Sequence, residues 1–519
     1  MTLTARSAPA TRTGPVRDLV GSLAGEPAGQ TSPSVYETAR LVALAPWLVG
    51  HDLRVAWLLD RQRPDGGWGG PGGYALVPTL SAVEALLGVL RREGPSAGCV
   101  AAADRGLRFL TAALRDEAAP DLPATDLIVP ALRAAVDRHL DGPAGPPPGL
   151  AGWAGRPRLP LPAGLDPTRL TRVRGLLATG GPVPEKLAHA LEVAGDLAYR
   201  AAGVRPSASG AVGASPAATA AWLGRPEPGP ALDYLRAVGR SGPVPCASPI
   251  TVFERAWVLA ILVRAGFPLD VPAPVLAELA GAVGPSGAAT APGLPADADT
   301  TSVALYALAR LGRSPGVASL SVFDTGGHFC TWPGEDGASL TTNAHVLDAL
   351  GEHPSRPGVT GVRRRVAEWL VGRQEPDGRW DDRWHASAYY ATYAVLLALA
   401  DHAPDGTARA AVERGVAWLL DTQRPDGDWG RWRGTAEETG YAVLALTGAG
   451  RPGDARVAAA LARARRRLSE LDESDDGPEL WHDKDLYRPT RIVRAALLAA
   501  SGRAAVGAGR AVPGMIRIA

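Results

Sequence analysis

Asp297 and Asp299 stand two residues apart in Leu294-Pro-Ala-Asp-Ala-Asp-Thr-Thr-Ser302, which runs directly into the apolar segment Val303-Ala-Leu-Tyr-Ala-Leu-Ala-Arg310. A proline ahead, small polar residues at the boundary and apolar residues at helical spacing behind predict that both acids sit at the mouth of a buried helix. There, one carboxylate can serve as the N-cap while the other decorates the first turn. The same placement can also deliver a proton. Burial keeps a carboxyl protonated, and the positive helix end steadies the carboxylate left behind.

The run Asp297-Ala-Asp299-Thr300-Thr301 resembles the D-x-D-D-T signature of class II terpene cyclases, with Thr300 in place of the last aspartate. By that resemblance Asp299 is the general acid that protonates a terminal alkene, and Asp297 stands beside it. Thr300 removes one carboxylate from a crowded site and keeps a hydroxyl for hydrogen bonding. The D-x-D-T-T variant resembles bacterial drimenyl diphosphate synthases. It implies a sesquiterpene cyclase that converts farnesyl diphosphate to drimenyl diphosphate with the diphosphate retained. The alternative is a diterpene cyclase making a copalyl-type diphosphate from geranylgeranyl diphosphate.

Other segments extend the resemblance. Thr342-Asn-Ala-His-Val346 is similar to the squalene-hopene cyclase segment in which a histidine hydrogen-bonds the catalytic aspartate, which nominates His345. A growing cation needs electron-rich faces, which aromatic rings provide. Gly378-Arg-Trp-Asp-Asp-Arg-Trp384-His-Ala-Ser-Ala-Tyr389-Tyr390 resembles a cavity-lining region of those cyclases. Trp384, Tyr389 and Trp332, with Trp257, are therefore the candidate cavity aromatics. Val183-Pro-Glu-Lys-Leu-Ala-His189-Ala-Leu-Glu192 resembles the L-H-S-L-E of copalyl diphosphate synthases and places His189 at the terminating base. Gly242-Pro-Val-Pro-Cys246, however, has cysteine where the family has that histidine's asparagine partner.

For the diphosphate, Trp481-His-Asp-Lys484-Asp-Leu-Tyr-Arg488-Pro resembles W-I-G-K-x-L-Y-R-M-P, whose lysine binds the anion; Lys484 and its neighbour Arg488 are the candidates. Arg169-Leu-Thr-Arg172 resembles a K-L-T-R with the same task and adds Arg169. Charge-assisted bonds to phosphate oxygens suit both residue types. The resemblance also implies Mg²⁺, with Asp116, Glu117, Asp121 and Asp126 as the family's acidic stretch and Glu37 and Glu185 as outside candidates. Asp475-Asp-Gly-Pro-Glu479 fits the D-D-x-x-E of diphosphate-ionising synthases only superficially and reads as a surface loop.

Helices must position these groups. Ala/Leu/Val-rich segments of helical period alternate with Gly/Pro-rich turns and no sustained two-residue alternation appears, so the fold class is all-α. Gln62-Arg-Pro-Asp-Gly-Gly-Trp68, Gln374-Glu-Pro-Asp-Gly-Arg-Trp380 and Gln423-Arg-Pro-Asp-Gly-Asp-Trp429 each follow an apolar helix. The turn reverses the chain, the tryptophan packs between helix ends and the glutamine reaches backbone groups. These copies resemble the QW motifs of the cyclases' (α/α) barrels. The implied organisation is a flexible arm over 1–30, a first β-domain helix over 31–48, a γ domain over 49–250 and a β domain over 251–510.

A net charge of +1 in 519 residues gives no ground for a nucleic-acid partner. Cys99, Cys246 and Cys330 are far apart, as in a reduced, cytoplasmic protein. No run reads as a signal peptide or as long enough to span a membrane. The expected partner is a small prenyl diphosphate; the oligomeric state is left open.

Overall fold

Alanine, leucine and valine repeat at helical spacing behind Ser, Thr or Asp, and these runs become the helices of the computed structural model, which describes residues 13–116, 118–181, 183–471 and 477–506. Side chains of Asp297, Ser339, Ser387 and Thr435 cap four helices by accepting from the backbone N–H of Thr300, Thr342, Tyr389 and Glu438. Those four belong to an inner ring of six: Thr251–Arg264, Ala298–Arg310, Leu340–Gly351, Ala388–His402, Ala436–Ala449 and Thr490–Val506. Each packs on the next, and the last returns to the first. Ala273–Ala282, Val359–Val371, Arg409–Asp421 and Ala455–Glu470 pack outside them.

A second, smaller ring runs through Val35–Leu44, Leu76–Glu93, Thr125–Asp141, Thr168–Ala178, the irregular 3₁₀ segment Leu191–Ala198 and Pro216–Leu223, which closes on the first of these helices. The fold is all-α, two α/α barrels, with only two short antiparallel hairpins among the described residues: Ala288–Ala289 with Ala296–Asp297, and Trp481–His482 with Leu486–Tyr487.

The repeated Gln-Trp motif acts as a clasp. In each copy the glutamine amide donates to two carbonyls: Gln62 to Gly66 and Ala102, Gln374 to Gly378 and Ala411, Gln423 to Gly427 and Ala460, at 2.7–2.9 Å. The buried indole N–H of Trp68, Trp380 and Trp429 donates to the carbonyl of Leu58, Leu370 and Leu419. Each turn is thereby tied to the outer helix before it and to the next outer helix.

Two expectations are corrected. Residues 13–25 are not an arm: Thr13–Gly25 is a helix whose Val16, Leu19, Val20 and Leu23 enter the main core, because they form one apolar stripe at helical spacing. Residues 1–12 lie outside the described residues. A run of spanning length also exists. Gly72–Glu93 covers 22 residues at a mean hydropathy of 1.6, and 78% of its apolar window is buried, so its apolar surface is consumed as a core helix. Asp475 and Asp476, and with them the acidic-loop assignment, lie outside the described residues.

Candidate functional site

A hairpin delivers the two aspartates. Asp297 ends its second strand opposite Ala288 and caps the helix Ala298–Arg310, its Oδ1 accepting from Thr300 N at 2.6 Å. Thr301 Oγ1 donates to the Asp297 carbonyl and accepts from Ala288 N, locking strand to helix. Burial pushes the Asp297 carboxyl up to about 7, assisted by the neighbouring Asp299 charge and opposed by the Thr300 hydrogen bond. Asp299, in the first turn, turns its carboxyl toward the next inner helix, where His345 Nδ1 lies 2.6 Å from its Oδ1. Burial works against a charged His345 ring, but the Asp299 carboxylate outweighs it and holds the imidazole above the ordinary histidine range.

Asp382, which the sequence reading missed, fixes this pair. Its carboxylate accepts from Ser339 Oγ, from the backbone N–H of Leu340 and Thr341, from Thr341 Oγ1 and from Trp384 N, at 2.6–3.1 Å. One partly buried acid therefore sets both the start of the His345 helix and the loop that carries Trp384.

Asp297, Asp299 and Thr300 line a cavity of about 1020 Å³. Trp257, Trp332, Trp384 and, unexpectedly, Tyr390, Phe253 and Trp481 supply its aromatic wall. Trp257 donates its indole N–H to Tyr390 Oη at 2.9 Å, and its ring meets the His345 ring edge-on at 5.4 Å. Trp332 and Trp384 meet edge-to-face at 5.3 Å. Tyr389 is corrected: one residue along a helix is a turn of about 100°, and Tyr389 points away to pack on Trp418 while Tyr390 faces the cavity.

The mouth is marked by exposed charge. Half-exposed Arg169 bonds Asp126 at 2.6 Å and Asp336 at 3.1 Å, and Arg383 bonds Asp121. Lys186 lines the same rim, its ammonium 4.6 Å above the Trp332 ring, and burial lowers its pKa. Lys186 and Arg383 both lie inside segments quoted above for other residues, and neither was nominated for the anion. Asp121 and Asp126 are hard oxygen donors suited to an ion that arrives with phosphate. Among the described residues no group of three His, Cys, Asp or Glu stands ready for a resident metal. Glu117 and the Asp116 side chain lie outside the described residues.

Lys484 is corrected most plainly. It lies beneath the cavity with 1% of its side chain exposed and donates to Glu37 Oε1 at 2.6 Å, Ser215 Oγ at 2.8 Å and Glu192 Oε1 at 3.0 Å. An ammonium has three hydrogens and all three are used, so none is left for a phosphate. Burial opposes its charge, but the two glutamates outweigh burial and keep it protonated. Glu37, also buried, accepts from Ala217 N at 2.6 Å and is unavailable as a metal ligand. Arg488 is likewise not among the lining residues; its backbone N–H donates to Ser32 Oγ.

His189 does line the cavity. Its Nδ1 lies 2.7 Å from the Gly213 carbonyl and its Nε2 2.8 Å from Asp483 Oδ1. Both partners only accept, so both ring nitrogens carry hydrogen and the ring is an imidazolium. Burial opposes that charge, yet Asp483 holds the His189 pKa up; burial also works to raise Asp483, yet His189 holds it below the ordinary carboxylate range. This corrects His189 as a base, since it has no lone pair to offer.

Residues 335–484 match the model of the squalene-hopene cyclase C-terminal domain. The chain is 44% identical over 497 residues to an ent-copalyl diphosphate synthase of Streptomyces sp. (strain KO-3988), covering 93% of this chain and 94% of that protein. It is 40% identical over 507 residues to a labda-7,13-dienyl diphosphate synthase of Streptomyces clavuligerus, covering 92% and 91%. The solved ent-copalyl diphosphate synthase from Streptomyces platensis superposes with a TM-score of 0.91 at 43% identity, covering 96% of this chain and all of that one. These likenesses overturn the drimenyl expectation built on Thr300. That residue's hydroxyl faces Thr290 Oγ1 at 3.1 Å, a local contact that carries no measure of substrate length.

Proposed function

The chain belongs to the class II terpene cyclases, the proton-initiated family of the squalene-hopene and copalyl diphosphate cyclases, and from that premise we propose that it cyclises geranylgeranyl diphosphate to a bicyclic copalyl-type diphosphate. The observation that carries the reading is one aromatic cavity with a histidine-paired aspartate at its buried wall and a ring of cations at its solvent edge. A volume of about 1020 Å³ is at the upper end of small-molecule sites and suits the longer prenyl chain. The copalyl and labdadienyl names of the relatives support the same C20 choice.

Asp299 donates its proton to the terminal alkene. The carboxylate that remains is met and stabilised by the His345 imidazolium at 2.6 Å. Ring closure moves the positive charge along the chain past Trp257, Tyr390, Trp332 and Trp384, whose faces attract a cation without capturing it. Arg169, Lys186 and Arg383 hold the diphosphate at the rim and leave its ester bond intact. Asp121 and Asp126 would hold a Mg²⁺ that accompanies the anion, and that ion would neutralise phosphate charge. Buried, unbridged Cys99, Cys246 and Cys330 fit a cytoplasmic place of action.

Incubating the protein separately with geranylgeranyl and farnesyl diphosphates, then dephosphorylating and identifying the products by mass spectrometry, tests the proposal. A bicyclic C20 alcohol, obtained without release of inorganic pyrophosphate, is the expected result. Faster cyclisation of the C15 substrate, or pyrophosphate appearing as the rings form, would overturn it.

A further inference from the structure

The protonation and anchoring roles leave Asp483 in the cavity wall unused. We infer that Asp483 is the base that ends the cyclisation, removing a proton from the carbon beside the final cation. The inference rests on the function proposed above and extends it to the last step.

Asp483 is buried, lines the cavity and stands two residues after Trp481, whose ring lies 4.7 Å from Tyr390 and 5.8 Å from Phe253 in the aromatic wall. The other acceptors around the cavity are engaged elsewhere. Asp297 caps its helix beside the acid itself. Glu335 accepts from Thr331 N and faces Arg383, and Asp121, Asp126 and Asp336 meet arginines at the mouth. Burial pushes the Cys246 thiol well up, so it holds its proton. The imidazole of His189 is closed at both nitrogens.

The His189–Asp483 ion pair gives the carboxylate properties this step needs. The imidazolium keeps it ionised inside an apolar wall, and the bond to Oδ1 tempers its nucleophilicity, so proton removal is favoured over ester formation with the cation. In the step itself the C–H bond next to the cationic carbon breaks, its electron pair becomes the new alkene, and the proton forms the Asp483 carboxylic acid. Asp299 has given one proton and Asp483 has taken one, so the reaction is a net isomerisation. Exchange of both protons with solvent resets the site.

Asp483→Asn and His189→Gln, assayed with geranylgeranyl diphosphate beside the wild type, test the assignment by product identity, which a merely structural role would not redirect. In Asp483→Asn the wild-type alkene should fall about 100-fold, the lower range of general-base effects, with hydroxylated product or alkene isomers replacing it. In His189→Gln turnover should fall several-fold while the wild-type alkene remains the main product. Asp483→Asn making the wild-type alkene at a near wild-type rate overturns the inference. If Asp483→Asn loses its helical circular dichroism, His189→Gln decides alone: retention of the alkene supports Asp483, and a switch to alcohol makes the imidazole the base. A wild type that cyclises normally while Asp483→Asn is unaltered sinks only this assignment, whereas a wild type that makes no cyclic diphosphate removes the underlying function as well.

Discussion

The knot beneath the cavity and the ring around its mouth are assembled from the same residue types, lysine or arginine facing carboxylates, yet they do opposite work. In the knot, Lys484 gives all three hydrogens to Glu37, Glu192 and Ser215, and Tyr36 Oη adds a bond to Glu192 at 2.7 Å. In the ring, Arg169 is split between Asp126 and the 85%-exposed Asp336, and the Lys186 ammonium sits over the Trp332 ring without a hydrogen bond among the described residues. A cation sealed in dry protein with every donor matched holds the chain together. Cations whose partners are wet, or absent, can exchange them for a phosphate at little cost.

The contrast can be broken in several places. Asp299→Asn removes the proton that gives the ring's substrate its chemistry: activity should fall about 10³-fold or more, with the melting temperature nearly unchanged. Cyclisation at the wild-type rate would detach the cavity from Asp299 altogether. Lys484→Met leaves Glu37 and Glu192 buried without their cation, and urea unfolding should register a loss of about 3–5 kcal/mol, with KM of the remaining folded enzyme unaltered. A raised KM at full stability would instead return Lys484 to the substrate. Lys186→Ala and Arg383→Ala should behave inversely, each raising KM about 10- to 100-fold through one lost charge-assisted bond while stability holds. Unfolding curves would expose any stability change that blurs the two regions.

The smallest expected effect concerns pH. Asp485, which packs beside the knot and accepts from Ser34 Oγ and Tyr36 N, is pushed up to about 7 chiefly by burial, as is Asp297. Both lie above the unfolded value of about 3.9, so the folded chain binds more protons between about pH 4 and 7. Stability contributed by these groups is therefore full at acid pH, falls as pH rises through 7 and is level beyond it. Replacing Asp485 with Asn should flatten that fall by on the order of 2 kcal/mol between pH 5 and 7.5, read by urea titration at each pH. An unchanged slope would place the titration elsewhere.

Much of the fold is local and therefore legible. The Gln-Pro-Asp-Gly-Trp clasps bond within a few residues, back to the preceding helix, or 37–40 residues on to the next outer helix, so their repeat carries their role. Asp299 and His345 are legible for a similar reason, each lying in the first two turns of a capped helix. Lys484 was misread because its partners are 447, 269 and 292 residues away, and nothing near it in the chain indicates that its charge is already answered. Tyr389 and Tyr390 differ only in which way a helix turns them. Asp483 sits where the resembling motif has glycine, a departure visible in Trp481-His-Asp-Lys484 that acquires meaning only when His189 arrives from another part of the fold. The stripe Val16, Leu19, Val20 and Leu23 was available all along beneath a composition that looked like an arm.

The hairpin Trp481–His482/Leu486–Tyr487 brings Asp483, Lys484 and Asp485 back to Ser34, Tyr36 and Glu37, so the chain's beginning and end meet across about 450 positions. Translation supplies these two ends at opposite times. The 447 residues from Glu37 to Lys484 must leave the ribosome before the pair can form, and contacts of such sequence separation close slowly. The chamber that will confine a carbocation is thus among the last parts to be sealed, and a chain cut short before Trp481 would carry its acid, Asp299, in a vessel without a floor.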